Sequence, residues 1–408
     1  MAAQMSKSQE QQTMPVIVYF LALAVFALTT SEFMVAGMMP SLAQALNVSV
    51  PEVGYLISYY AAGMVIGGPV LMLALLNVPR KRALLVLIGV YTIGQSVAAA
   101  ATTYEIMVVG RILCGVAASA CFGLALAICA QMVAPGKVAR SAAIVISGLM
   151  FATVFGVPAA TALEQAFGWR FVFWLVAAMT AASGVLLAFT LPASRIEQRT
   201  SAQAELVSLH NGRLWAAYGT SALIIGATFA AFSYFSPILL NVSGYDASTI
   251  PLLLMLYGAA TVIGNFIVGR LADRHTMQVL FWGQIVLTAA LIAFALFGQL
   301  QPVALGALIL IGLTGVALNP AMVARVIKTA NASPLVNTVH ASVINIGLFA
   351  GSALGGLGIS LDFGMRAPLW VGAGLAVIGV LSVVPLVFKE RVSTEAAEVP
   401  GTLQSECA

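Results

Sequence analysis

Apolar residues run along this chain in long blocks divided by short polar breaks, without the strict alternation of a half-buried strand. The blocks reach the roughly 20 residues that a helix needs to cross a bilayer's hydrocarbon core. Only helices and closed barrels satisfy every backbone polar group there. The pattern therefore predicts an all-α membrane protein of twelve transmembrane helices. The spans, numbered 1 to 12, are Val16–Met39, Val53–Leu75, Ala83–Thr102, Glu105–Val133, Ser141–Leu163, Trp169–Leu191, Leu214–Leu240, Ile250–Gly269, Val279–Gln299, Val303–Ile327, Leu335–Leu361 and Ala367–Phe388. One break is longer and polar, residues 192–213, and reads as a linker between two six-helix halves, 15–191 and 214–388. Residues 1–14 and 389–408 are read as terminal tails, and no removable leader is expected before Val16.

Composition removes most other classes. Of 408 residues, 61% are hydrophobic and 8% charged, and the mean hydropathy is +1.01. A soluble domain carries about 25% charged residues, so a water-covered enzyme and a disordered chain are both excluded. A net charge of +4 on so apolar a chain gives no nucleic-acid footprint. Cys114, Cys121 and Cys129 share span 4 without metal-ligand spacing. A nucleotide-driven pump needs a phosphate-cradling Gly-rich loop with Lys, and none is present. No cofactor is expected, and an ion gradient is left as the energy source. The alternation of spans places 15 of the 18 Lys and Arg residues on the side of the termini and only Arg170 and Arg366 on the other, with Arg111 inside span 4. The excess of basic residues marks the cytoplasmic side. Both termini are expected there, in a bacterial inner membrane, on a protein that works as a monomer.

The halves repeat one another at an offset of 197: Pro40 matches Pro237, Tyr60 matches Tyr257, and Val65-Ile66-Gly67 matches Val262-Ile263-Gly264. Six spans return the chain to its starting side, so the halves keep the same direction and are related by an axis along the membrane normal. Secondary transporters are built this way, with the substrate site near the midplane between repeats.

The chain resembles the major facilitator superfamily, and more narrowly its twelve-helix drug/proton antiporters. Residues Gly269, Arg270, Asp273 and Arg274 after span 8 resemble the family's cytoplasmic loop signature. The stretch from Arg111 to Gly115 resembles its membrane-embedded arginine motif. Gly148, Gly156 and Pro158 in span 5 form a degraded antiporter motif, and Ser31 to Gly37 followed by Pro40 is similar to the branch of arabinose, purine-nucleoside and chloramphenicol exporters. The resemblance implies that Gly269, Arg270, Asp273, Arg274, Gly156 and Pro158 serve gating. The first half departs from the pattern: Gly269 and Asp273 map to Met72 and Leu76, so a latch between the halves is expected to rest on the second half alone.

Two ionisable residues lie deep in spans, Glu32 and Arg111, at matched depths of roughly 9–11 Å below the outer edge. Such residues are costly in hydrocarbon and face a cavity or a partner. The functional reading is a carboxylate that binds the coupling proton with Arg111 as its partner, directly or through water. The bland reading is a fixed pair that serves packing. The repeat puts Phe229 where Glu32 stands, so proton chemistry is confined to the first half. His340 is read as an interfacial polar residue. Tyr59, Tyr60, Tyr234, Tyr257 and Asn345 are candidate substrate contacts, with Gln95, Asn265 and Gln284 further polar candidates; aromatic faces with a few hydrogen-bonding groups suit planar or amphipathic ligands. Gly63 and Gly67, and Gly347, Gly351 and Gly355, recur every four residues and predict close helix contacts. The expectation is a proton-coupled efflux antiporter for a small organic solute such as a drug, sugar or nucleoside. The alternative is a proton-independent facilitator or importer of sugars or nucleosides, which has no need of a buried carboxylate.

Overall fold

The computed structural model describes residues 14–75, 78–192, 211–330 and 334–398. The chain is almost entirely helical: α1 Val16–Gly37, α2 Met39–Leu46, α3 Val50–Ala74, α4 Arg80–Ala99, α5 Tyr104–Gln131, α6 Val138–Phe151, α7 Val157–Phe167, α8 Trp169–Thr190, α9 Gly212–Phe232, α10 Phe235–Asn241, α11 Ile250–Phe297, α12 Gln301–Thr314, α13 Asn319–Ala330, α14 Pro334–Ser360 and α15 Ala367–Glu398. Ten segments are long and apolar enough to cross a membrane, and one of them, Ala247–Phe297, has 51 residues and is kinked at His275 (φ −126°, ψ 41°). With that segment divided at its kink and α3 added, twelve crossings are accommodated. Most of the linker, residues 193–210, and the outermost tails lie outside the described residues. We call the end of the bundle that carries the chain termini proximal, and the opposite end distal.

Several spans are less regular than the hydrophobic pattern predicts. Span 1 is interrupted at Met38 (φ −103°, ψ 12°) and span 7 at Tyr234 (φ −114°, ψ 13°), each break followed by a short helix containing Pro40 or Pro237. A proline removes an N–H donor and tolerates only the first turn of a helix, so the chain starts a new helix at each. Span 5 carries a π-helical turn, Ala152–Gly156, between α6 and α7. Span 10 breaks at Gly315 before a 3-10 turn, Val316–Leu318. The motif Gly269–Arg274, expected as a loop, is the helical end of the first part of α11, and the turn is made by His275 alone. Span 12 continues past Phe388 to Glu398.

Packing follows the small residues. In lipid, apolar burial gives helices little reason to associate, and close backbone contact takes over. Gly347, Gly351 and Gly355 on α14 lie against the carbonyl oxygens of Ala222, Gly226 and Ala230 on α9, two matched rows of four-residue spacing. The offset of 197 recurs in space. An added Cβ at Gly115 would stand 2.0 Å from the Tyr60 carbonyl oxygen, and one at the equivalent Gly312 would stand 2.8 Å from that of Tyr257. Large apolar side chains such as Phe189 (86% exposed) and Ile66 (69% exposed) point out of the bundle, as a lipid-facing surface requires.

Candidate functional site

The contact of Gly115 with α3 places Arg111, one turn earlier on α5, beneath the ring of Tyr60. The guanidinium carbon is 4.3 Å from the ring centroid. Arg111 is fully buried. Its Nη1 donates to the Ser31 carbonyl (2.8 Å) and to Ser31 Oγ (3.3 Å), its Nη2 to the Glu32 carbonyl (3.0 Å) and its Nε to the Leu56 carbonyl (3.5 Å). Ser31 Oγ donates to Gln95 Oε1 at 2.8 Å, and Gln95 Nε2 donates to the Phe173 carbonyl at 3.4 Å. The hydroxyls of Tyr60 and Tyr91 both donate to the Leu28 carbonyl, at 3.5 and 3.3 Å. One cation and a few polar side chains thereby join α1, α3, α4, α5 and α8. Carbonyl dipoles and an aromatic face offset the desolvation that makes a buried guanidinium costly.

The expected partnership of Arg111 with Glu32, direct or through water, takes the form of a contact with the main chain. Arg111 binds the main chain of Glu32, while the Glu32 side chain is partly exposed and makes no hydrogen bond among the described residues. The two residues are neighbours through α1's backbone.

Beside Glu32 begins an aromatic wall contributed mainly by the second half. Phe33 lies 5.4 Å from Phe229 and 5.8 Å from Phe232, ring centre to ring centre. Phe232 stacks on Tyr257 at 5.0 Å, and Phe235 meets Tyr257 at 5.4 Å. A small apolar cavity between the halves is lined by Thr153, Val157, Phe232, Leu254 and Tyr257. Thr153 belongs to the π-helical turn, and its carbonyl touches the close-packed Gly258 of α11. Sequence reasoning selected Tyr257 but passed over its neighbours. Their signal is present: Phe229, Phe232 and Phe235 recur every three residues across the break in span 7.

Tyr60 and Tyr257 thus hold equivalent backbone positions in different surroundings, one under a cation and the other in the aromatic wall. Tyr59 and Asn345 are partly exposed. Tyr234 lies elsewhere, in a seal at the distal end. Its hydroxyl donates to the Ser352 carbonyl at 3.0 Å, Ser352 Oγ donates to the Gly54 carbonyl at 3.2 Å, and Ser58 Oγ donates to the Phe349 carbonyl at 3.3 Å. These bonds join α3 of the first half to α14 and Tyr234 of the second. Nearby, Gln165 Nε2 donates to the Ala247 carbonyl at 2.7 Å.

The gating candidates are scattered. Gly156 packs on Thr30, and Pro158 opens α7. Arg270, Asp273 and Arg274 are exposed at the proximal end, where the Asp273 carbonyl accepts from Lys328 Nζ at 3.1 Å. Gly269 has open space around it. Leu76, the first-half counterpart of Asp273, lies outside the described residues. His340 bonds Ser221 Oγ at 2.9 Å and stacks on Tyr218. No cluster of three His, Cys, Asp or Glu side chains forms among the described residues.

Known proteins match this architecture throughout. Residues 21–339 match the Major Facilitator Superfamily. A chloramphenicol resistance protein of Streptomyces lividans is 33% identical over 391 residues, covering 94% of this chain and 98% of the relative. The inner membrane transport protein YdhP of Escherichia coli is 32% identical, covering 89% and 94%. Among solved structures, a bacterial homolog of the human lysosomal transporter Spinster in an inward-facing, occupied conformation aligns with TM-score 0.71 and 17% identity over 96% of this chain and 98% of that one. The nucleoside transporter NupG aligns with TM-score 0.73 and 14% identity over 91% and 99%. The helical architecture, the lipid-facing exterior and these relatives agree, and the chain belongs to the major facilitator superfamily of multi-pass membrane transporters.

Proposed function

We propose that the protein is a proton-coupled exporter that moves a small organic solute out of the cytoplasm by alternating access, with both termini cytoplasmic and the distal end facing outward. The observation that carries this reading is Glu32. Its side chain is half-buried and makes no hydrogen bond among the described residues, while the nearby Arg111 donates to backbone carbonyls. A carboxylate held within a span and not locked in a hydrogen bond can take up and release a proton. The aromatic wall beside it links that event to solute binding, because a ligand against Phe33 and Phe229 alters the solvation of the neighbouring acid. Aromatic faces with Tyr59, Tyr257 and Asn345 as polar edges suit a planar or amphipathic solute, and the chloramphenicol resistance of one relative fits that class. With the distal end sealed, the conformation corresponds to an inward-facing state, and Arg270, Asp273 and Arg274 await partners in the opposite state.

The test uses everted vesicles with an imposed pH gradient and a panel of candidate solutes. Glu32→Gln should abolish uphill transport while leaving solute binding or exchange largely intact. Full gradient-driven transport by Glu32→Gln would remove the carboxylate from the mechanism and favour a proton-independent facilitator.

A further inference from the structure

The second half holds a buried cation of its own, and its surroundings contrast with those of Arg111. Arg325 on α13 is only 6% exposed. Its Nη1 donates to Thr220 Oγ1 at 2.8 Å, and that hydroxyl pairs with Ser382 Oγ at 2.8 Å. Among the described residues, its Nε and Nη2 meet no acceptor, and no carboxylate pairs with it. The remaining donors are those that matter geometrically. In a guanidinium, the Nε–H and one Nη2–H point the same way and form the side-on fork that receives two oxygens at once. Thr220 holds the other edge, and the fork is left without a protein partner but open to solvent, since neither nitrogen is among the buried atoms that lack one.

A buried orphan lies one turn deeper. Gln284 is fully buried, and neither its amide nitrogen nor its oxygen has a partner. It abuts Gly379, whose carbonyl accepts from Ser382 Oγ at 2.6 Å. Gly379 precedes Ser382 by three residues, and Leu223, which lies beside Gly379, follows Thr220 by three. A polar seam therefore runs from Arg325 inward between α9, α11, α13 and α15. Buried polar groups are nearly always satisfied, and each exception calls for an explanation.

We propose that Arg325, anchored by Thr220 and Ser382, is a binding site for an oxyanion of the phosphate type at the proximal end of the second half. Arg325 lies five residues before the end of α13, a depth that both a soluble phosphate and a lipid headgroup can reach. Basic pockets between helices on the cytoplasmic side are known acceptors of anionic headgroups. The site is separate from Glu32 and the aromatic wall, and it does not depend on proton coupling.

The experiment measures the thermal unfolding midpoint of the purified full chain in two arms. In one, inorganic phosphate is titrated against chloride at matched ionic strength in a neutral detergent. In the other, nanodiscs of phosphatidylcholine are compared with nanodiscs containing phosphatidylglycerol. The wild type should be stabilised in at least one arm. A response to phosphate identifies a soluble oxyanion, and a response only to phosphatidylglycerol identifies a headgroup. Arg325→Lys keeps the charge without the fork and should raise the half-saturating concentration about tenfold or more, and Arg325→Gln should abolish the response. Should both variants fail to fold, Thr220→Val, which removes the anchoring hydroxyl alone, should weaken it. A wild type that responds in neither arm, or folded variants that respond as the wild type does, overturns the proposal.

Discussion

Gly54→Ala isolates the distal seal. An added methyl carbon would stand 2.0 Å from the Tyr234 hydroxyl oxygen and 2.5 Å from the ring carbon that bears it. That is about 1.5 Å inside the separation at which non-bonded heavy atoms rest. The phenol has little room to swing aside, because Tyr234 is fully buried and its hydroxyl is held by the Ser352 carbonyl. Overpacking of this kind costs about 1–3 kcal/mol, and loss of the Tyr234–Ser352 hydrogen bond adds about 1 kcal/mol, so the sealed state should lose roughly 2–4 kcal/mol, or about 30- to 900-fold in population ratio. Gly54 and Tyr234 belong to opposite halves, so the penalty vanishes when the halves part, and the equilibrium moves by the full difference. Spin labels at Gln44 and Asp246, both exposed near the distal end, read the separation directly. Gly54→Ala should convert most of the population to the longer distance and depress transport, and Tyr234→Ala in the same chain should restore the shorter one. An unchanged distance distribution in Gly54→Ala, or a shift that Tyr234→Ala fails to reverse, would refute the reasoning.

The Arg111 knot makes a stability claim. A lysine ammonium cannot reach the carbonyls of Ser31, Glu32 and Leu56 together, so Arg111→Lys should leave at least one bare, lower stability by about 1–3 kcal/mol and lose most coupled transport. Arg111→Ala should be worse on both counts, and a wild-type unfolding midpoint for Arg111→Ala would show that the knot does not hold the half together. The repeat supplies an internal comparison of equal chemistry: Gly115→Ala meets a carbonyl at 2.0 Å and Gly312→Ala meets one at 2.8 Å. Gly312→Ala should cost about 1–3 kcal/mol and Gly115→Ala clearly more, as read from unfolding midpoints or yield of folded protein.

The hydrophobic blocks reveal the spans because lipid imposes a length and forbids unpaired backbone, and the repeat could be seen because Tyr60 and Tyr257 kept their spacing from neighbouring glycines. Glu32 and Arg111 stood out as charges within apolar runs, and counting residues from the helix ends placed them level. What counting could not supply is azimuth. Whether Arg111 meets a carboxylate or a carbonyl depends on how α1 and α5 are rotated about their axes, which nearly uniform hydrophobicity leaves open. The same blindness hid Arg325, which adds one more basic residue to the cytoplasmic excess in sequence, and whose burial arises only where α9, α13 and α15 converge. The interruptions at Met38, Tyr234 and Gly315 do not show in the hydrophobic pattern, which runs through them; Pro40, Pro237 and Gly315 itself are the local signals.

The π-helical turn at Ala152–Gly156 changes the meaning of the small residues around it. Gly148, Ala152, Gly156 and Ala160 follow one another at strict intervals of four. In a regular α-helix such a row rotates about 40° at each step, and its far members would leave the face on which it began. A wider turn, with bonds from i to i+5, winds the chain back. Gly148 and Gly156 accordingly both rest on α1, at Ala22 and Thr30, and Ala152 and Ala160 are buried beside them. The one irregular turn straightens a helical stripe into a rail. Along that rail α1, the helix that carries Glu32, keeps close backbone contact over successive turns, a contact that the drifting row of a perfectly regular neighbour would lose.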